Sequence, residues 1–273
     1  GMAIGEVLHR TSDMILDDSR RGRNRVFREV SAFIVDPFRG LTRVITGDAW
    51  KVRPTSGRQF GIPDVSVQIS SGVRVLEVRD EILDKGIGSS TEILIEYGDR
   101  FEGHNAKPFD YFSFRTSLNI QASQPVLGQL NIIGRLWGTD LIDSKKDYLN
   151  LGVYQHFDYY DSDTISSVSN RIPYKFGTPA SVGVGLIHKS KRFPDWQFDS
   201  YGHINLVLLG ASLSDHYLVD KRNYNLGNGF GWKFGANIAY KDKIGISWWY
   251  EGFRMYTWKG YPEGYDLDKA LQN

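Results

Sequence analysis

Apolar and polar residues alternate with a period of two along most of this chain, and the alternation is clearest in residues 229–253, GFGWKFGANIAYKDKIGISWWYEGF. Every second residue over 230–240 is apolar or aromatic, whereas the intervening positions are mostly glycine, lysine and asparagine. After a turn at Lys241 the alternation resumes at Ile244. Because successive side chains of a strand point to opposite faces, this pattern predicts a long β-hairpin with one bulky and one small or polar face.

The same period recurs in six earlier segments, and a seventh, 201–213, is apolar on both faces. Together with the hairpin they give nine predicted strands, at 65–75, 92–97, 112–120, 129–136, 149–158, 180–186, 201–213, 230–240 and 244–251. Strands that follow one another through turns are typical of an antiparallel meander. We therefore predict a mainly β fold, with residues 56–273 forming an antiparallel meander β-barrel of about ten strands. Bacterial single-chain membrane barrels have an even strand number, so a tenth strand is expected.

Residues 1–55 follow a different pattern, in which apolar residues recur at helical spacing. Val26, Phe27, Val30, Phe33 and Ile34 form one such stripe, which is interrupted by Pro37. The segment is predicted to contain two or three helices that pack on or in the barrel, with a break at the proline.

The predicted strands do not show by themselves which face points inward. Several approach the 9–11 residues or so that a membrane-spanning strand needs. Long polar connections at 161–177 and 214–229 alternate with tight turns, as in outer-membrane barrels, whose bulky face meets lipid. In a soluble barrel the same bulky face would be the core. The aromatic residues at both ends of 230–240 fit an interfacial girdle, but aromatic side chains also pack in soluble cores.

Composition narrows the function classes. The 273 residues contain 33 Lys and Arg against 32 Asp and Glu, so no overall basic charge indicates nucleic-acid binding. Aromatic residues make up 14%, and there are 29 glycines, which suits pleated strands and tight turns. There is no cysteine, so disulfides, thiolate metal sites and cysteine nucleophiles are excluded.

One set of charged side chains falls on the predicted inward face. Charges of both signs there can pair across a narrow lumen, which indicates a filled interior more than an open pore. The residues predicted to bind a ligand in the barrel interior are Arg115, Arg135, His156, Asp158, Lys233 and Glu251. The alternative interpretation is that these charges form a solvated face.

Two histidines are candidate catalytic residues. Asp158 lies two residues after His156, on the same strand face, and could orient the imidazole as a general base or simply bond to it in the lumen. His188 lies near Ser190, which suggests a lipid hydrolase, but no G-x-S-x-G nucleophile elbow is present. The histidines lack metal-ligand spacing, and no phosphate-binding loop is found. The sequence therefore predicts no metal and no cofactor, and the catalytic residues stay unknown.

Three segments, VSAFIVDPFRGLTRVITGDAWKV, PFDYFSFRTSLNI and LGVYQHFDYYDS, resemble a bacterial domain family of unknown function that is common in Bacteroides-type organisms. The resemblance spans most of the chain. It implies an outer-membrane β-barrel with a helical segment before the strands, further sequence before GEVLHR, and more strands after the end of this chain. It assigns no catalytic residue, because no activity is established for the family.

The predicted function is an outer-membrane-type β-barrel protein of a Gram-negative bacterium that handles lipids or small molecules. Its expected partners are membrane lipid or a hydrophobic small molecule, without nucleic acid. Two alternatives remain open. The first is a soluble β-barrel that binds a hydrophobic ligand, and the second is a membrane-embedded lipid hydrolase that uses His156 or His188.

Overall fold

The computed structural model describes residues 2–16, 21–52, 64–78, 81–103, 107–120, 125–162, 174–213, 225–241 and 243–258. The chain divides into two compact units, Gly1–Asp64 and Val65–Asn273. The first is helical and the second is a single β-sheet, so the mainly β class and the helical N-terminal segment are confirmed.

The helical unit contains three helices, α1 (Met2–Ile15), α2 (Arg23–Val35) and α3 (Pro37–Ile45). The predicted break at Pro37 is confirmed, because α2 ends two residues before it and α3 begins at it. Asp36 caps α3 by accepting a hydrogen bond from the Arg39 backbone N–H at 3.0 Å. Buried Arg25 donates to the carbonyl oxygens of Ala49 and Lys51 at 2.9 and 2.7 Å, which fixes the turn after α3 against α2.

The sheet unit contains nine antiparallel strands in the order in which they occur along the chain. Their bounds are β1 (Val65–Val78), β2 (Glu81–Tyr97), β3 (Phe112–Ile120), β4 (Leu127–Asp143), β5 (Asp147–Ser162), β6 (Tyr174–Ser190), β7 (Trp196–Leu213), β8 (Asn225–Tyr240) and β9 (Ile244–Thr257). The meander is confirmed, with nine strands among the described residues where about ten were predicted. Within those residues β1 and β9 are the two edges of the sheet.

The sheet curls into a half-barrel, because side chains on strands far apart in the sheet order meet across its concave side. Glu251 on β9 accepts a hydrogen bond from Arg115 on β3, with 2.9 Å between Nη1 and Oε1. Register shifts interrupt several strand pairs, for example between His156 and Asp158 on β5. Such irregularities increase the local twist and bend of a strand, and so promote curling.

The connection between β2 and β3 is described over residues 98–103 and 107–111, and these parts continue the sheet rather than loop away from it. The connection begins at Gly98, whose φ of 77° is in the left-handed region and whose absent side chain leaves room for the Asp110 carbonyl. The Phe109 N–H donates to the Arg135 carbonyl at 2.7 Å, and the Arg135 N–H donates to the Tyr111 carbonyl at 2.9 Å. This segment therefore covers the part of β4 that extends beyond β3.

Candidate functional site

Many side chains on the concave side of the sheet are polar and almost completely buried, beside apolar ones such as Ile187 and Val207. Contacts between strands that are not neighbours identify this side, since such contacts cross the interior; one joins Lys233 on β8 to Asp158 on β5. Among the described strand residues, eleven buried polar residues are at most 4% exposed: Asn119, Asn131, Arg135, Asn150, His156, Asp158, Thr178, Ser181, His203, Asn205 and Lys233. Polar groups are rarely buried in such number unless they bond to one another.

The convex face is apolar, as β7 shows most clearly. His203, Asn205 and Val207 are 4%, 0% and 2% exposed, whereas the alternating Ile204, Leu206 and Leu208 are 58%, 61% and 59% exposed. In β8, Gly231, Lys233 and Gly235 are buried, and Phe234 and Ile238 are exposed. The bulky face of the 230–240 segment thus points outward, and the small and charged face points inward.

Some of the buried polar side chains form two groups of hydrogen bonds, and Asp158 is the centre of the first group. Its carboxylate forms an ion pair with the Lys233 ammonium, and neither side chain is more than 1% exposed. The same carboxylate accepts hydrogen bonds from Asn131 Nδ2 at 2.7 Å and from Thr178 Oγ1 at 3.3 Å. Buried charges persist when they are both paired and hydrogen-bonded, and Asp158 satisfies both conditions.

Glu251 is the centre of the second group. Besides Arg115, it accepts hydrogen bonds from Gln129 Nε2 at 3.3 Å and from the Tyr160 hydroxyl. Asn131 Nδ2 also donates to the Tyr160 oxygen at 2.9 Å, which joins the two groups. We call six of these connected residues, leaving out Gln129 and Thr178, the interior network: Lys233, Asp158, Asn131, Tyr160, Glu251 and Arg115. They lie on five strands, β3, β4, β5, β8 and β9.

Replacing Glu251 with glutamine is expected to lower the free energy of unfolding by about 1.5–3 kcal/mol, because the charge-assisted bond to Arg115 is lost while the side chain keeps its shape. Denaturant unfolding followed by tryptophan fluorescence measures the loss. Glu102→Gln, which removes a carboxylate from an exposed position, is the matched control. Equal stability of the two variants would contradict the role assigned to Glu251.

A cavity of about 370 Å³ opens on the concave side next to the interior network. Its wall carries the carboxylates of Glu92, Glu96 and Asp199 in addition to Glu251, and the guanidinium groups of Arg100 and Arg115. Trp249 contributes an aromatic surface, with the Arg115 guanidinium 5.1 Å from its ring centre. Leu94, Ile133 and Ile187 add an apolar part to the wall, so the cavity suits a small solute with both polar and apolar groups.

The structure places the six predicted ligand-binding residues in different surroundings. Arg115 and Glu251 lie in the cavity wall. Asp158 and Lys233 join the same interior network but are not part of that wall. Arg135 and His156 are buried outside both the network and the cavity wall.

Arg135 holds the 98–111 segment in place. Its Nη1 and Nη2 donate to the carbonyl oxygens of Arg100 and Asp99, both at 3.3 Å. The neighbouring Tyr111 hydroxyl donates to Glu96 at 2.9 Å, and burial together with this carboxylate raises the pKa of Tyr111. The phenol therefore stays protonated and remains a donor.

His156 does not pair with Asp158, as the sequence had suggested. Asp158 bonds to Lys233, Asn131 and Thr178, and among the described residues neither ring nitrogen of His156 has a hydrogen-bond partner. Its ring lies against that of His203, with 5.3 Å between the centres. A general base oriented by Asp158 is therefore not formed at this position.

His188 and Ser190 lie on the convex face, in the wall of a second cavity. The Ser190 hydroxyl donates to Asp147 Oδ1 at 2.8 Å, and this carboxylate also binds Arg192. A serine nucleophile needs its proton directed to a base such as imidazole. The serine here is bonded to the carboxylate instead, so the arrangement is not that of a catalytic relay.

Within the described residues there is no group of three or more histidine, aspartate or glutamate side chains placed to bind a metal ion. None of the described helices combines the length and the apolar character that crossing a membrane requires.

A scan against protein-family models found no match to this chain, and a search of curated proteins found no relative. The site is therefore interpreted from its own geometry.

Three residues of the cavity wall were missed by sequence reasoning: Arg100, Asp199 and His203. Arg100 belongs to the 98–111 segment, which carries no periodic pattern. Asp199 was missed because the strand was predicted to begin at 201, whereas β7 begins at Trp196. From that start, polar or aromatic residues occupy every second position through Gln197, Asp199, Tyr201, His203 and Asn205. His203 lies within the predicted strand, but the faces of that strand could not be told apart because the segment is apolar on both.

Proposed function

We propose that the sheet unit is the membrane-spanning part of an outer-membrane-type β-barrel protein, and that its partner is membrane lipid. The observation that carries the proposal is the inverted polarity of the sheet. An ion pair that is at most 1% exposed lies on the inner side, while Leu206 on the outer side is 61% exposed. Membrane barrels alternate in this way, with apolar side chains toward lipid and polar side chains toward the lumen.

Strand length and turn length support the same proposal. Eight of the nine strands have 14–18 residues and β3 has nine, whereas a tilted strand crosses a bilayer with about 9–11. Short turns join β4 to β5, β6 to β7 and β8 to β9 at one end of the sheet. The connections at 163–173 and 214–224 leave from the other end, as the long loops of outer-membrane barrels do, whereas the β2–β3 connection lies at the same end as the short turns. The resemblance to the Bacteroides-type family agrees with this assignment.

The interior network determines how much open space the lumen has. Its charges are paired across the concave side, so they occupy the centre of the curl rather than line a wide channel. The remaining cavity of about 370 Å³ has both charged and apolar residues in its wall, so it suits a small solute that carries polar groups as well as an apolar part. A soluble barrel that holds a hydrophobic ligand would need its bulky residues inside. The bulky side chains of β7 and β8 point to the convex side, so they do not support that alternative.

Lipid offers no hydrogen bonds to the backbone, so the edges that β1 and β9 form within the described part of the sheet must be paired with other strands when the sheet is in a bilayer.

The purified full-length chain is expected to be monodisperse only in the presence of detergent, with a bound micelle in its particle mass. Apolar side chains on the convex face need detergent to replace lipid, so the chain is expected to aggregate in plain buffer. Size-exclusion chromatography with light scattering, run with and without detergent, measures both states. A single well-defined species without detergent would contradict the membrane assignment.

A further inference from the structure

The three short turns form one continuous rim at the end of the sheet. Backbone hydrogen bonds connect them: Lys191 N–H donates to the Lys146 carbonyl at 2.7 Å, and Lys241 N–H donates to the Asp195 carbonyl at 2.8 Å. We call the residues 144–146, 191–195, 241 and 243 the turn rim. Six of them are exposed bases: Lys145, Lys146, Lys191, Arg192, Lys241 and Lys243. The acids in or beside these turns in the sequence are Asp143, Asp147, Asp195 and Asp242, so the bases outnumber the acids by two. Two of the acids form ion pairs with rim bases, Asp147 with Arg192 and Asp195 with Lys241.

A cavity of about 640 Å³ opens on the convex face beside this rim. One part of its wall is apolar, formed by Trp196, Phe198 and Ile238, and Tyr240 packs on Trp196 with 4.9 Å between ring centres. The other part is polar and includes Ser190 and Arg192. The cavity therefore offers a basic end at the turns and an apolar end on the strands.

Arg192 is held in a fixed orientation at the basic end. Its Nε donates to both oxygens of Asp147, at 2.9 and 2.8 Å, and Ser190 donates to the same carboxylate at 2.8 Å. Among the described residues no hydrogen bond engages the Nη groups of Arg192, whose side chain is 69% exposed. A guanidinium held through Nε presents its two Nη groups as a fork that matches phosphate oxygens.

We propose that this cavity binds an anionic phospholipid, with the headgroup phosphate on Arg192 and the first part of an acyl chain against Trp196, Phe198 and Ile238. The inference rests on the proposed function, because a lipid reaches the convex face only if the sheet lies in a bilayer. The excess of bases on the turn rim selects a lipid with net negative charge over a zwitterionic one, since juxtamembrane bases attract anionic headgroups. Aromatic side chains at the boundary between strands and turns are typical of the membrane–water interface.

Native mass spectrometry of the full chain released from detergent micelles tests the inference, with dioleoyl-phosphatidylglycerol and dioleoyl-phosphatidylcholine as the two probes. The wild-type chain is expected to retain one phosphatidylglycerol about tenfold more tightly than phosphatidylcholine. Arg192→Ala is expected to weaken phosphatidylglycerol binding by about tenfold, as loss of a charge-assisted bond does. Arg192→Lys keeps the charge without the fork and is expected to give an intermediate affinity.

Lys243→Ala is the matched control, because it removes one exposed charge from the same rim outside the cavity wall. Because Lys243 is one of six rim bases that share the attraction of the anionic headgroup, its loss is expected to weaken phosphatidylglycerol binding by only about twofold, against about tenfold for Arg192→Ala. Equal retention of both lipids, or equal effects of Arg192→Ala and Lys243→Ala, would overturn the lipid site and leave the membrane assignment standing. A chain that enters no micelle would overturn both, and light scattering in plain buffer identifies that case separately.

Discussion

Replacing Lys233 with methionine is expected to lower the free energy of unfolding by about 3–5 kcal/mol, the largest loss that we predict for any single change in the interior network. Methionine fills a volume similar to that of the lysine stem, so packing is largely kept. The Asp158 carboxylate, which is fully buried, then loses its ion-pair partner and retains only the hydrogen bonds from Asn131 and Thr178. Guanidinium unfolding of the detergent-solubilised chain, followed by tryptophan fluorescence, measures the change.

The double variant Lys233→Met, Asp158→Asn separates loss of the ion pair from a general packing defect. Asparagine has the shape of aspartate without its charge, so no uncompensated charge is left in the interior. The double variant is expected to recover most of the stability lost by the single one, since removing both partners of a buried pair costs much less than removing one. If the double variant is as unstable as Lys233→Met alone, the charge of Asp158 is not the cause of the loss.

Replacing Leu206 with arginine is expected to destabilise the membrane-folded chain by about 2–4 kcal/mol, which is the cost of a base on the lipid face near the bilayer centre. Leu206 lies near the middle of β7 and points to the convex side, between Val182 on β6 and Phe230 on β8 in register. The side chain is already 61% exposed, so in water the same change costs at most about 0.5 kcal/mol. Denaturant titration of the chain folded into phosphatidylcholine vesicles distinguishes these two magnitudes.

Phe193→Arg is the control for this experiment. Phe193 lies in the β6–β7 turn and is 70% exposed, so it receives the same new charge at similar exposure but outside the strands. Its stability in vesicles is expected to change by about 1 kcal/mol or less, since the cost of arginine falls toward the interface. Equal stability losses for Leu206→Arg and Phe193→Arg would show that the convex face of β7 does not meet lipid.

The order of the strands could be predicted from the sequence, because each predicted strand lies within an observed one and consecutive strands pair. The full lengths of the strands could not be predicted. β2 extends back to Glu81 through GIGSST at 86–91, where small residues carry no apolar alternation. β6 contains Pro179, which normally argues against an inner strand, but a register shift between Gly177 and Ala180 accommodates it.

The direction of the two faces could not be predicted, since a period of two shows only that they differ. The contacts of the site depend on the curl of the sheet, so they could not be predicted from the sequence either. Lys233 and Asp158 are 75 positions apart, and their strands are separated by two others. A pattern within each strand places both side chains on one face, but it does not identify which strands meet across the interior.

The contacts of Glu251 also have a consequence for how the sheet comes apart. Pairing between consecutive strands is local, so a nine-stranded meander held only by its ladders could fray one strand at a time from either edge, much as repeat arrays do. Glu251 instead bonds to Tyr160, Gln129 and Arg115, which are 91, 122 and 136 positions away. Detaching β9 therefore removes partners from β3, β4 and β5 at once. Because of these bonds, the loss of β9 weakens the middle of the sheet. We therefore expect β9 and the middle strands to unfold together in one cooperative transition.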